Sequence, residues 1–140
     1  MMMVRSYLGP STIEGLGVFS HTDIRKGQLI WLYDPGFDVS FMVSDIERAP
    51  KHFREFMDRY TYPHPEDAER VVLDCDEGRF MNHSDDPAMD LSNPSRGVAT
   101  RDIPAGTEIT CDYGQFVHGP LEMQPPRHRV APIAASVAAE

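Results

Sequence analysis

The spacing of turn residues constrains this chain more than any other feature. Through the N-terminal third, short runs of β-type residues are cut by turn formers: "MVRSYL" by "GPST", "GVFS" by "TDIRKG" and "QLIWLY" by "DPG". Gly accepts left-handed backbone, Pro presets φ, and Asp and Ser bond their own backbone, so each cluster reverses the chain before a long element can form. A framework of short antiparallel strands is expected. The same rhythm returns after "YPHPED" with "ERVVLDC", then "GVATRDI", the turn "PAGTE" and a last short strand "ITCDYG". No internal repeat is apparent.

One stretch follows a different period. In "SDIERAPKHFREFMDRY", Phe53, Phe56, Met57 and Tyr60 recur at i, i+3, i+4 and i+7, and Ser44 with Glu47 has the spacing of a capping box. The reading is a helical insert broken at Pro50, its apolar stripe turned to the core. With 140 residues of which 41% are hydrophobic, the chain suits a single core. The body is expected over residues 1–119. Residues 120–140 change composition to Pro and Ala and read as a tail, either partly disordered or folded over the site. The fold class is therefore β-rich with a short helical insert.

The formal charge of -9 argues against nucleic-acid binding, which depends on neutralising phosphates, and favours basic partners. Acids gather at Asp74, Asp76, Glu77, Asp85, Asp86 and Asp90, with Arg79 the one base among them. They read either as a solvated face or as a surface that attracts a basic segment. The two cysteines, Cys75 and Cys111, and the six scattered histidines have no metal-ligand spacing, so no metal is expected. Nothing in the sequence has the length of a signal peptide's apolar region or of a membrane span. An intracellular, soluble protein is expected, in the cytoplasm, with the nucleus left open.

Three segments share a chemical logic. In "EGLGVF", Gly15 and Gly17 flank Leu16 just before a strand and let backbone approach a bulky group. In "RFMNHS", Asn82 and His83 offer donors and acceptors within an apolar frame, and "GTEITCDYG" ends on Asp112, Tyr113 and Gly114. Taken singly, Tyr113 reads equally as a core tyrosine, and Asn82 with His83 as a turn.

In this order, and with "IRKGQLI" and "VATRDIPAGTEITCDYG", the motifs resemble those of the SET-domain family, lysine methyltransferases that use S-adenosylmethionine. The resemblance runs from about Val4 to Phe116. It implies small antiparallel sheets closed by a C-terminal pseudoknot, with the methyl donor on one face and the substrate lysine entering from the other. Gly15, Leu16 and Gly17 would line the donor pocket through backbone groups, and Asn82 and His83 would hold the donor. Arg79 and Phe80 would shape that pocket, and Phe116 would cover the adenine. Tyr113 would be catalytic, where donor and substrate meet, and would line the substrate channel with Cys111. The partner implied is a lysine-containing basic protein or peptide; a homodimer stays open.

Two departures stand out. Ala88 replaces the Asn that usually ends the Asn-His-Ser-x-x-Pro-Asn motif, and the cysteine cluster that follows the domain in many relatives is absent. A SET-fold module that binds basic peptides with little or no catalysis is the alternative function, and a metal-assisted hydrolase a more distant one.

Overall fold

A computed structural model describes residues 1–117. The tail expected over residues 120–140 lies outside them. Ten short strands form two sheets. β1 (Ser6–Pro10) and β2 (Leu16–Ser20) make an antiparallel hairpin of five residue pairs. Its turn needs Gly15, whose φ of 48° lies in the left-handed region that side chains disfavour. β3 (Leu29–Leu32) lies at the opposite edge of the larger sheet, beyond β9 (Arg96–Ala99), β8 (Met89–Asp90) and β10 (Glu108–Cys111). The smaller sheet holds β4 (Val39–Met42), β6 (Arg70–Leu73) and β5 (Thr61–Pro63), in that order.

The threading of β10 decides the architecture. On one side it pairs antiparallel with β2, through Glu108 with Phe19 and Ile109 with Val18. On the other it runs parallel to the two-residue strand β7 (Asn82–His83), through Thr110 and Cys111, and beside β8 through Met89. A strand late in the sequence thus passes between segments laid down early and midway, the crossing that the resemblance implies. Its apolar residues explain why it stays there: Ile109 and Val18 are fully buried, and Cys111 is 3% exposed. Burying an aliphatic side chain of that size contributes about 1.5–3 kcal/mol.

A twofold pairing missed in the sequence ties the two ends of this sheet. The segments Asp23-Ile24-x-x-Gly27 and Asp102-Ile103-x-x-Gly106 exchange backbone hydrogen bonds, Ile24 with Ile103, at 2.8 Å in both directions. The Asp102 carboxylate accepts from Lys26 N at 2.8 Å and the Asp23 carboxylate from Ala105 N at 2.9 Å. Each turn is capped by the other's aspartate. The short match between the two segments is a local repeat that only their contact reveals.

The helical insert differs from expectation at two points. It is broken at Pro50 into α1 (Val43–Glu47) and α2 (Lys51–Tyr60), but the Ser44 capping box does not form. β4 runs directly into α1, so Met42 is the cap, and Val43 N is satisfied by Glu69 O at 2.9 Å. Ser44 already lies inside the helix. Of the aromatic stripe only Met57 is buried, while Phe56 is 40% exposed.

Strand limits also shift. Residues Glu77–Phe80 form a 3-10 turn, and within "RFMNH" only Asn82 and His83 pair as a strand, β7. β10 ends at Cys111, and Asp112 caps a second 3-10 turn, Tyr113–Gln115, by accepting from Gly114 N at 2.8 Å. Among the described residues no helix is long and apolar enough to cross a membrane.

Candidate functional site

The parallel pairing of β10 with β7 brings the "NH" and "DYG" motifs together. Asn82 then faces the glycine turn. Its Nδ2 lies 3.1 Å from Glu14 O, 3.1 Å from Leu16 O and 2.9 Å from Glu108 Oε1. One amide nitrogen carries two hydrogens, so three acceptors converge on two donors. Glu108 is held from its other oxygen by Ser11 Oγ at 2.9 Å. Gly17 makes room for it: a Cβ there would stand 2.1 Å from Glu108 Oε1.

His83 links the two motifs directly. Tyr113 N donates to its Nδ1 at 3.1 Å, so that nitrogen presents a lone pair and the proton belongs on Nε2, which meets Asp85 Oδ1 at 3.0 Å. Asp112 Oδ1 stands 3.6 Å from the same Nδ1. The Tyr113 hydroxyl donates to Met81 O at 2.6 Å. Burial pushes its pKa above the usual tyrosine range, with Cys111 and Glu14 adding to the rise and Arg59 opposing it. The phenol therefore remains protonated at neutral pH.

Aromatic side chains extend the half-buried surface. The ring of Phe116 lies 5.6 Å from that of Tyr113 and 6.4 Å from that of Tyr62. Phe80 meets Tyr60 edge-on at 5.4 Å, and the Arg79 guanidinium sits 5.0 Å from the Phe80 centroid. Tyr62 is anchored beneath: its hydroxyl donates to Asp74 Oδ1 at 3.2 Å, while Trp31 Nε1 donates to Asp74 Oδ2 at 2.9 Å.

The structure thus gathers Gly15, Leu16, Gly17, Asn82, His83, Tyr113 and Phe116 around one region. Cys111 lies differently, packed in the core at 3% exposure with burial pushing its thiol pKa up. The acid run is not one rim. Asp74 is 4% exposed, Asp76 accepts from Met2 N at 2.7 Å, and Glu77 accepts from Ser6 Oγ at 2.6 Å, because the segment before Phe80 packs against the start of the chain. Asp85 and Asp86 are the fully open members. Among the described residues no group of three or more His, Cys, Asp or Glu side chains could hold a metal ion.

Ala88 has no side-chain hydrogen bond to offer, yet its loop is braced by others. Ala88 N donates to Thr110 Oγ1 at 3.1 Å, and Thr100 bonds the Ala88 carbonyl from N at 2.9 Å and from Oγ1 at 3.2 Å. Sequence reasoning passed over Glu108, which lies within a quoted motif, and Arg59, which carries no motif signal at all.

A crystal structure of a Plasmodium falciparum protein, described as a candidate histone methyltransferase, is 26% identical with a TM-score of 0.57, covering 81% of this chain and 96% of that one. A humanized mutant of Chaetomium thermophilum Polycomb Repressive Complex 2, bound to an inhibitor, is 22% identical with a TM-score of 0.59 over 82% of this chain. The crystal structure of the Chaetomium thermophilum complex itself is 23% identical, with a TM-score of 0.59 over 79% of this chain. The chain spans only 16% and 15% of the length of those two chains, and their likeness is one of fold. No curated protein matches. A family model for the SET domain matches residues 15–114, well over half of the chain, and with the threaded β10 and the paired motifs this places the protein in the SET-domain family.

Proposed function

We propose that this protein transfers a methyl group from S-adenosylmethionine to a lysine side chain in a basic protein segment. The observation that carries the reading is the Tyr113 hydroxyl, fixed on Met81 O, with Tyr113 N bonded to His83 and the neighbouring Asn82 bonded to the carbonyls of Glu14 and Leu16. Family membership and the candidate histone methyltransferase of similar fold support it.

The residues present suit such a donor. Its ammonium needs acceptors, and the carbonyls of Glu14 and Leu16 with Glu108 Oε1 supply one more than Asn82 can saturate. Its adenine needs flat apolar surface, which Phe116 offers, while Arg79 and Phe80 shape the pocket wall. Gly15, Leu16 and Gly17 offer backbone, and Asn82 and His83 hydrogen bonds. Bound there, S-adenosylmethionine would supply an electrophilic methyl carbon on a sulfonium.

The chain's own part is alignment and delivery of a neutral amine. Tyr113 keeps its proton, donates it in a hydrogen bond to Met81 O, and leaves oxygen lone pairs for weak C–H···O contacts, each worth about 0.5–1 kcal/mol. It positions; it does not abstract a proton at neutral pH. An amine drawn from water toward half-buried aromatic side chains loses its proton more readily than its solution pKa of about 10.4 suggests. Cys111, two residues before Tyr113, is proposed to set the room beside the amine from within the core.

Isothermal calorimetry with S-adenosylmethionine and with its demethylated product tests donor binding. Mass spectrometry of basic proteins incubated with a heavy-methyl donor tests transfer. Folded protein that binds neither ligand would end the proposal; donor binding without transfer would reduce it to a peptide-binding module.

A further inference from the structure

Arg70 is a half-buried cation with no acid paired to it. It opens β6, and its guanidinium folds back onto β4. Nε and Nη2 stand 3.1 and 2.9 Å from Ser40 Oγ, Nη2 is 3.2 Å from Ser40 O, and Nη1 is 3.1 Å from Met42 Sδ. Arg48, Arg59 and Arg101 each meet a carboxylate. None among the described residues pairs with Arg70, although the chain carries 22 acids.

His64 N donates to Arg70 O at 3.1 Å, which carries the β5–β6 pairing one residue further and puts both side chains on one face. His64 Nδ1 accepts from Glu66 N at 3.1 Å, so its proton belongs on Nε2, 2.9 Å from the Tyr33 hydroxyl. The Tyr33 oxygen is then the acceptor, and its own hydrogen is left to donate. Burial raises the Tyr33 pKa, with Asp38 and Glu66 adding to the rise and Arg70 opposing it, so the phenol is protonated and the arginine's charge reaches it. Asp38 is turned inward, its fully buried carboxylate accepting from Asp34 N at 3.0 Å and Cys75 N at 3.4 Å.

Donors therefore exceed acceptors here. Of the five N–H groups of an arginine, Ser40 and Met42 take four, and one on Nη1 remains. Ser40 Oγ accepts from Arg70 and gives its own hydrogen to no described residue. Spare hydrogens on Arg70, Ser40 and Tyr33 beside a full positive charge suit an anion, which forms the stronger, charge-assisted bonds. We infer that Arg70, Ser40 and Tyr33 form a receptor for an anionic side chain of the substrate segment, a carboxylate or a phosphate, an assignment that rests on the methyl-transfer reading above.

The placement fits a flanking residue rather than the reacting one. His64 lies two residues along β5 from Tyr62, about 6–7 Å on the same face. The Tyr62 ring is 6.4 Å from that of Phe116, which is 5.6 Å from that of Tyr113. That path corresponds to about three to six residues of extended peptide. The acids of the chain attract a basic segment from a distance, whereas Arg70 repels a base at one position and so sets its register.

The test uses the full chain and basic peptides holding one lysine, with glutamate, phosphoserine or glutamine placed in turn at each position up to about six residues on either side. Mass spectrometry follows heavy-methyl transfer, and fluorescence anisotropy follows peptide binding. At one position glutamate or phosphoserine lowers KM at least about fivefold against glutamine, as a charge-assisted hydrogen bond on a part-exposed cation does. A gain from phosphoserine alone assigns the receptor to phosphate, and a gain from both to either anion. Arg70→Gln removes the preference, while kcat on the glutamine peptide and S-adenosylmethionine affinity stay within about twofold. An anion that helps at no position would overturn the assignment, as would a preference that survives in Arg70→Gln. Should circular dichroism show that Arg70→Gln does not fold, Tyr33→Phe and Ser40→Ala decide: each weakens the preference, and a preference unchanged in both overturns the receptor. Peptides that bind without being methylated remove the methyl-transfer reading, and anisotropy on the same series still decides the receptor.

Discussion

Tyr113 keeps its proton because burial disfavours the phenolate and a carbonyl waits 2.6 Å away. Tyr113→Phe removes one hydrogen bond near the proposed reaction centre without touching the Asn82 acceptors. Turnover should fall about tenfold or more, in line with a net hydrogen bond of about 1–1.5 kcal/mol, with donor affinity nearly unchanged. Steady-state kinetics beside calorimetry checks this, and a fully active variant refutes the role. Asp74 makes a second prediction at this scale. Burial pushes its carboxyl up to about 6 from 3.8, against the opposing pull of the Met1 ammonium and the Trp31 hydrogen bond. Because the folded value is the higher one, the stability it contributes is present below about pH 4 and is lost as pH rises through 6, by up to about 3 kcal/mol. Urea midpoints should fall between about pH 4 and pH 6 in wild type and hold flatter in Asp74→Asn. A wild-type midpoint that climbs through this window contradicts the account.

At the scale of elements, Met57 is the buried residue of α2, 1% exposed and lining a cleft of about 270 Å3 with Val43, Ile46 and Val71. Met57→Ala enlarges that cleft and should cost about 2–5 kcal/mol. Phe56→Ser, on the exposed part of the same stripe, should change thermal stability little. Similar losses from both would mean that the stripe packs as a unit. The glycine turn is tighter still. Gly17→Ala must displace the Glu108 carboxylate from 2.1 Å, so it should weaken donor binding along with β2–β10 pairing. Unchanged calorimetry for this variant would remove Glu108 from the proposed pocket.

Across the whole molecule, the charge of -9 is spread rather than gathered at one mouth. Asp74, Asp76 and Glu77 are spent on internal hydrogen bonds, and Asp86 also faces Arg101 at 3.0 Å. What remains acts on a basic peptide at long range, and such attraction is screened within about 10 Å at 0.1 M salt. The KM for a basic peptide should therefore rise several-fold between low and high salt while kcat holds; a salt-independent KM would point to recognition by contacts rather than field.

The β-rich class, the break at Pro50 and the residues brought to the site could be read from the chain because they rest on local chemistry. Clustered turn formers reverse the chain between strands, although single ones such as Gly9, Gly17 and Gly97 sit within strands, and the motifs around Gly15, Asn82 and Tyr113 are contiguous. Other features belong to partners far away in sequence. The lost capping box of Ser44 depended on β4 running into α1, and the burial of Asp74 on partners such as Trp31 and Tyr62. The reciprocal pairing of Asp23 with Asp102 was written in both segments but had no meaning until they touched. Arg70 is the extreme case: one charge at the start of a strand, indistinguishable in sequence from a solvated one. Local preference is set by each residue and its neighbours, whereas burial and charge partners are set by whatever the folded chain brings alongside.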